Sequence, residues 1–152
     1  MITVGHFADR FRMTPAVRLR DFDPESPTLQ GPDPAVGAGT SLAGPVAEAS
    51  DLAAKYPAHE LLFVLVSDGI LDDETAALDG LRALPGEIHL IALGAEPQWT
   101  ASWPRKPPLT VQVLQGDTDL GEVARGIAEV WVRATRPPRP AGSPTASPSK
   151  GA

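Results

Sequence analysis

The stretch His59-Glu60-Leu61-Leu62-Phe63-Val64-Leu65-Val66-Ser67-Asp68-Gly69 decides how the rest of the chain is read. Leu61 to Val66 is an unbroken apolar run, and Ser67, Asp68 and Gly69 close it with a hydroxyl, a carboxylate and a glycine. A strand without a polar face is covered on both sides, as in the middle of a parallel α/β sheet flanked by helices. Ligands of such sheets gather outside the carboxyl ends of the strands, where Asp68 stands. The same three residues equally suit a polar turn leading into the next helix.

Downstream, Asp72 or Asp73 is a fitting N-cap for a helix over Glu74 to Leu84, with Leu78, Leu81 and Leu84 apolar and Pro85-Gly86 as its stop. Ile88 to Leu93 reads as a second buried strand, closed by Gly94. Residues 95–108 form a proline-rich loop whose Trp99 and Trp103 are either an exposed contact patch or a cover for the core. Leu109, Val111 and Val113 alternate with Thr110 and Gln112, which predicts a half-exposed strand at the other edge. Leu120, Val123, Ala124, Ile127, Ala128, Trp131 and Ala134 recur as the apolar stripe of a helix.

Upstream, a helix begins at Ser41, with Leu42, Val46, Ala49, Leu52, Ala53 and Tyr56 at helical spacing, Pro45 in its first turn and Pro57 after it. Residues 21–39 are a long loop of Asp, Pro and Gly that ends in Gly37-Ala38-Gly39 before Thr40. Ile2 to Phe7 reads as a strand, and Phe11 to Leu19 as a second one folding back on it. Pro15 removes a ladder donor and makes the second an edge. From residue 41 on, helices and strands alternate, which requires right-handed crossovers between parallel strands. The expected fold is α/β, a mostly parallel sheet with helices on both faces and an antiparallel hairpin at its edge.

Five of the 17 prolines fall in residues 137–152, a Pro, Ser and Ala segment without a large apolar side chain. The expectation is one domain over 1–136 and a disordered tail over 137–152. A net charge of −6 and a pI near 4.9 exclude nucleic acid and anionic membrane as main partners, since both select a basic surface. Without cysteine there is no disulfide, thiolate zinc site or cysteine nucleophile. No leader pattern and no run long enough to span a bilayer is present, so the expected location is the cytoplasm.

Val4-Gly5-His6-Phe7-Ala8-Asp9, Gly39-Thr40-Ser41-Leu42 opening a helix, Ser67-Asp68-Gly69 after an apolar strand, and Ile88 to Gly94 as the next strand occur in the order and spacing of the von Willebrand factor type A (vWA) domain. The chain resembles that family from about residue 1 to 135. The resemblance implies a vWA/Rossmann-like sheet and a metal-ion-dependent adhesion site, in which Mg²⁺ or a similar divalent cation is held by oxygens from three loops and ligates an acidic residue of a protein partner. Thr40 carries over as the threonine of the second loop and Asp68 as the aspartate of the third. Ser67, Ser41 and Asp72 are accessory candidates on the same loops.

The sequence departs from the family at its start. It contains no Asp-x-Ser-x-Ser and no strand before Ile2 to carry it, so the central first strand, its helix and most metal-site side chains are missing. Thr40 and Asp68 alone are too few oxygens to offset the dehydration of Mg²⁺, and the metal site is expected to be weak or absent in this chain by itself. The favoured expectation is that Met1 is internal to a longer protein. The alternatives are a separate chain supplying the strand by β-augmentation, or a domain that closed up without it. An unpaired buried edge would make the chain alone prone to association.

The function expected on these grounds is a non-enzymatic protein-interaction module. The rival is a Mg²⁺-dependent flavodoxin-like or phosphoryl-transfer enzyme, using Asp68 and a phosphate cradled at the Gly39-Thr40 loop, although no lysine follows that loop as a phosphate-binding motif requires. His6, His59 and His89 are scattered and read as structural, and the acids Asp72, Asp73 and Glu74 read as helix-capping.

Overall fold

Three parallel strands carry the fold. β3 (Leu62–Ser67), β4 (Glu87–Leu93) and β5 (Leu109–Leu114) lie in that order, with Val64 opposite His89 and His89 opposite Thr110. They are preceded by the short strands β1 (Gly5–Phe7) and β2 (Phe11–Met13) and by helix α1 (Ala43–Lys55), and α2 (Glu74–Ala83) crosses from β3 to β4. A loop with a 3-10 turn at Gln98–Ser102 connects β4 to β5. The computed structural model describes residues 1–23, 37, 39–115, 121, 125 and 128.

The alternation of side chains along the strands puts Phe63, Leu65, Ile88, Leu90, Ala92, Leu109, Val111 and Val113 on one face of the sheet. Leu42, Val46 and Ala49 of α1 and its start, Ala77, Leu78 and Leu81 of α2, and Trp99 close over that face as one apolar cluster. Leu42, Leu81, Ile88 and Leu90 are fully buried, each side chain contributing about 1.5–3 kcal/mol of transfer free energy. Trp99 and Trp103 resolve their alternative here. Both pack on the core, with ring centroids 5.8 Å apart, and their indole N–H groups donate to Gly69 O and Pro107 O.

The middle strand is β4, which corrects the placement of residues 61–66 at the centre. β4 has a neighbour on each side and is buried from Ile88 to Ala92, whereas β3 is, among the described strands, hydrogen-bonded to β4 alone. Apolar composition reports the faces of a strand and not its edges, so the two strands look alike in sequence. β5 lies at the far edge as its alternation predicts.

The hairpin is also more separate than expected. β1 and β2 pair antiparallel, Gly5 with Met13 and Phe7 with Phe11, and form their own two-stranded sheet in place of an edge on the parallel one. Pairing continues irregularly through Thr14 N–H to Val4 O and a bridge between Ile2 and Val17, interrupted near Pro15 as a missing donor demands. The hairpin is held to α1: Ser41 N–H donates to Ala8 O at 2.8 Å, and the ring of Phe11 fills the space a side chain at Gly44 would occupy. Phe7 reaches the core cluster.

Both described helices pack on the same face. The opposite face holds His89 and Ile91, which are buried as well. Of the helix expected from Leu120 to Ala134, only Gly121, Arg125 and Ala128 are described. They are helical and exposed, and the other residues of that expected helix lie outside the described residues. The 137–152 tail and most of the 21–39 loop lie outside the described residues. Among those described, no helix is long and apolar enough to cross a membrane.

Candidate functional site

The residue after β1, Ala8, and the β3–α2 connection meet at the segment that opens α1. Thr40 is joined to the β3–α2 connection by a reciprocal pair: Thr40 N–H donates to Asp72 Oδ2 at 2.6 Å, and Asp72 N–H donates to Thr40 O at 3.0 Å. Gly39 precedes this pair, and a Cβ there would strike Asp9 Oδ1 and lie 2.7 Å from Asp72 Oδ2. Two carboxylates from distant parts of the chain therefore converge over a glycine. Asp9, just past the end of β1, closes the Val4–Asp9 stretch that carries the vWA resemblance and was not among the site candidates.

Asp73 has a different task from the one expected. It stands at the N-cap position of α2 but makes no cap bond to its own helix. Its carboxylate instead receives Ser41 Oγ–H at 2.7 Å, Leu42 N–H at 3.0 Å and Ala43 N–H at 2.8 Å, and so caps α1 from outside. These amides have no partner within their helix, and the positive end of the helix dipole favours a negative charge. Burial, the largest single influence, pushes the Asp73 carboxyl up. The bonds from Leu42, Ser41, Ala43 and its own backbone together outweigh burial and hold it below its ordinary value of 3.8.

Ser67 and Asp68 form a second, separate constellation. Ser67 Oγ accepts Gly69 N–H at 3.1 Å, and Asp68 Oδ1 accepts Ile70 N–H at 3.1 Å, the side-chain-to-backbone bonds by which Ser and Asp build turns. Gly69 has φ +74°, and any side chain on it would strike Pro97. Trp99 Nε1–H donates to Gly69 O at 3.1 Å, so the turn is fastened to the loop after β4. Asp68 itself is exposed, as are Val66 and Ile70 beside it.

Of the five residues proposed for the site, Thr40, Ser41 and Asp72 are brought together at the start of α1, while Ser67 and Asp68 sit at the end of β3 in their own turn. Among the described residues no group of three or more His, Cys, Asp or Glu is placed to hold a metal ion. Thr40 and Asp68 do not by themselves fit a hard cation, which takes six or more oxygens including water. A phosphate at the Gly39-Thr40 loop meets a different obstacle. The Thr40, Leu42 and Ala43 amides it would need already donate to Asp72 and Asp73.

His89 is 3% exposed in the central strand, with Nε2 3.6 Å from Glu87 Oε2 and Nδ1 without a hydrogen-bond partner among the described residues. Comparison with protein-family models, with curated proteins and with solved structures finds no match to this chain.

Proposed function

We propose that this chain is a non-enzymatic protein-interaction module of the vWA type, whose partner supplies a strand beside β3. The observation that supports this is the edge of β3 away from β4, which no described strand pairs. Leu61 O accepts Glu87 N–H, so the odd-numbered residues turn their backbone groups toward β4, and Leu62, Val64 and Val66 present theirs to the other side. No described residue pairs with that side, and the side chains along it are apolar. Exposed backbone donors and acceptors on an apolar strand are a template for an added strand.

The hairpin and the three-stranded sheet are tied together at one end, through Ala8, Ser41, Thr40 and Asp72. A strand entering parallel to β3 ends beside Thr40 and Asp68. On the vWA resemblance that strand carries Asp-x-Ser-x-Ser, and with it Thr40 and Asp68 would help hold Mg²⁺ or another divalent cation that ligates a partner's carboxylate. This chain alone lacks the ligand set.

Amide hydrogen exchange tests the reading, with a synthetic peptide of an apolar strand followed by Asp-x-Ser-x-Ser as the probe. In the chain alone the Leu62, Val64 and Val66 amides exchange fast and Mg²⁺ gives no saturable heat of binding. With the peptide those three amides become protected, and Mg²⁺ strengthens the complex. Protection of the same amides without peptide, or none with it, overturns the proposal.

A further inference from the structure

At the other end of the sheet, where β4 and β5 begin, lies a cavity of about 330 Å³ lined by Arg82, Leu84, Pro85, Lys106, Pro107 and Pro108 together with Gly86. Arg82 and Lys106 are its charged lining residues and, among the described residues, no carboxylate lines it, although the chain carries a net charge of −6. Its walls are fixed. Trp103 Nε1–H holds Pro107 O at 2.9 Å, Ile88 N–H holds Pro108 O at 2.9 Å, and proline rings have one backbone torsion locked.

Arg82 is held as well. Its Nη1 donates to Asp79 Oδ1 at 3.1 Å, and its guanidinium stands 5.7 Å from the centre of the Trp103 ring. Asp79 is well exposed, so water screens that pair and leaves Arg82 able to attract a second anion. Asp79 engages one of five guanidinium N–H donors, and a donor fork held in place loses little entropy when it takes an anion.

We propose that this cavity binds a small organic anion, a compact apolar body carrying a phosphate or carboxylate group. Arg82 and Lys106 take the charged group, and Leu84 with the three prolines covers the body. The volume lies at the lower end of small-molecule sites, which limits the ligand to about the size of a single substituted ring. The inference does not depend on the strand-binding reading, since it uses residues at the opposite ends of the strands.

The test is an amide NMR titration of the full chain with phenyl phosphate, benzoate and inorganic phosphate at low ionic strength. Saturable shifts are expected at Leu84, Gly86 and Lys106 with phenyl phosphate or benzoate, the tighter of the two naming the charged group. K106E and R82Q each weaken binding about tenfold, as the loss of one charge-assisted contact requires. Lys106 is exposed, so K106E carries the test even if R82Q disturbs the fold through Trp103. Three results overturn the proposal: no saturable shift with either ring-bearing anion, inorganic phosphate binding as tightly as the better of them, or K106E binding unchanged.

Discussion

β3 and β4 are two apolar strands of similar composition with opposite situations. Leu62-Phe63-Val64-Leu65-Val66 has one hydrogen-bonded neighbour among the described strands, and its Val66 is 37% exposed. Ile88-His89-Leu90-Ile91-Ala92 lies between two strands and is buried throughout, histidine included. The strand with the polar residue is the better covered one. Burial in a sheet is set by what lies alongside, and side-chain hydrophobicity states only which strands can tolerate being there.

That contrast can be broken by mutation. Leu90→Ala empties a site enclosed by both helices and is expected to destabilise by about 3 kcal/mol, whereas Val66→Ala is expected to cost less than about 1 kcal/mol. Urea denaturation midpoints measure both. Equal losses would mean that β3 is enclosed as fully as β4.

An intermediate effect belongs to Asp73, which joins the β3 connection to the start of α1. Asp73→Ala removes the outside cap and should cost about 1 kcal/mol at neutral pH. Because the folded carboxyl lies below its ordinary value of 3.8, its contribution is complete above that value and is lost as pH falls through the lower folded one. Wild type and Asp73→Ala should therefore converge in stability in acid. Denaturation curves recorded on either side of 3.8 check the convergence, and a gap that persists in acid contradicts the role.

The smallest effect is expected at Asp68. Asparagine retains the oxygen that accepts Ile70 N–H, so Asp68→Asn should change the stability of the chain alone by less than about 0.5 kcal/mol. The same denaturation experiment measures it. A larger loss would show that the charge at the end of β3 already has a structural partner, which would sharpen the contrast with Asp73.

Much of the local structure was legible. The helix expected over Glu74 to Leu84 is Glu74–Ala83, and the strands expected at Ile88 and Leu109 begin at Glu87 and Leu109. Their signals, apolar period and Pro-Gly stops, reside within the segments themselves. The polar turn at Ser67 and Asp68 was equally readable, because its bonds span two residues. The site was less so. That Asp73 caps α1 and not α2, and that Asp9 meets Asp72 over Gly39, depends on segments some thirty residues apart in the chain.

The sequence by itself determined an α/β chain with parallel crossovers, an acidic character, and polar residues at strand ends, because periodicity, charge and turn chemistry are properties of neighbours along the chain. Only the tertiary structure decided that β4 lies between β3 and β5, that the hairpin pairs with itself, and that Arg82 and Lys106 share a cavity. Strand order and the meeting of side chains are set by which surfaces complete one another's hydrogen bonds and packing, and that choice is made across the whole fold.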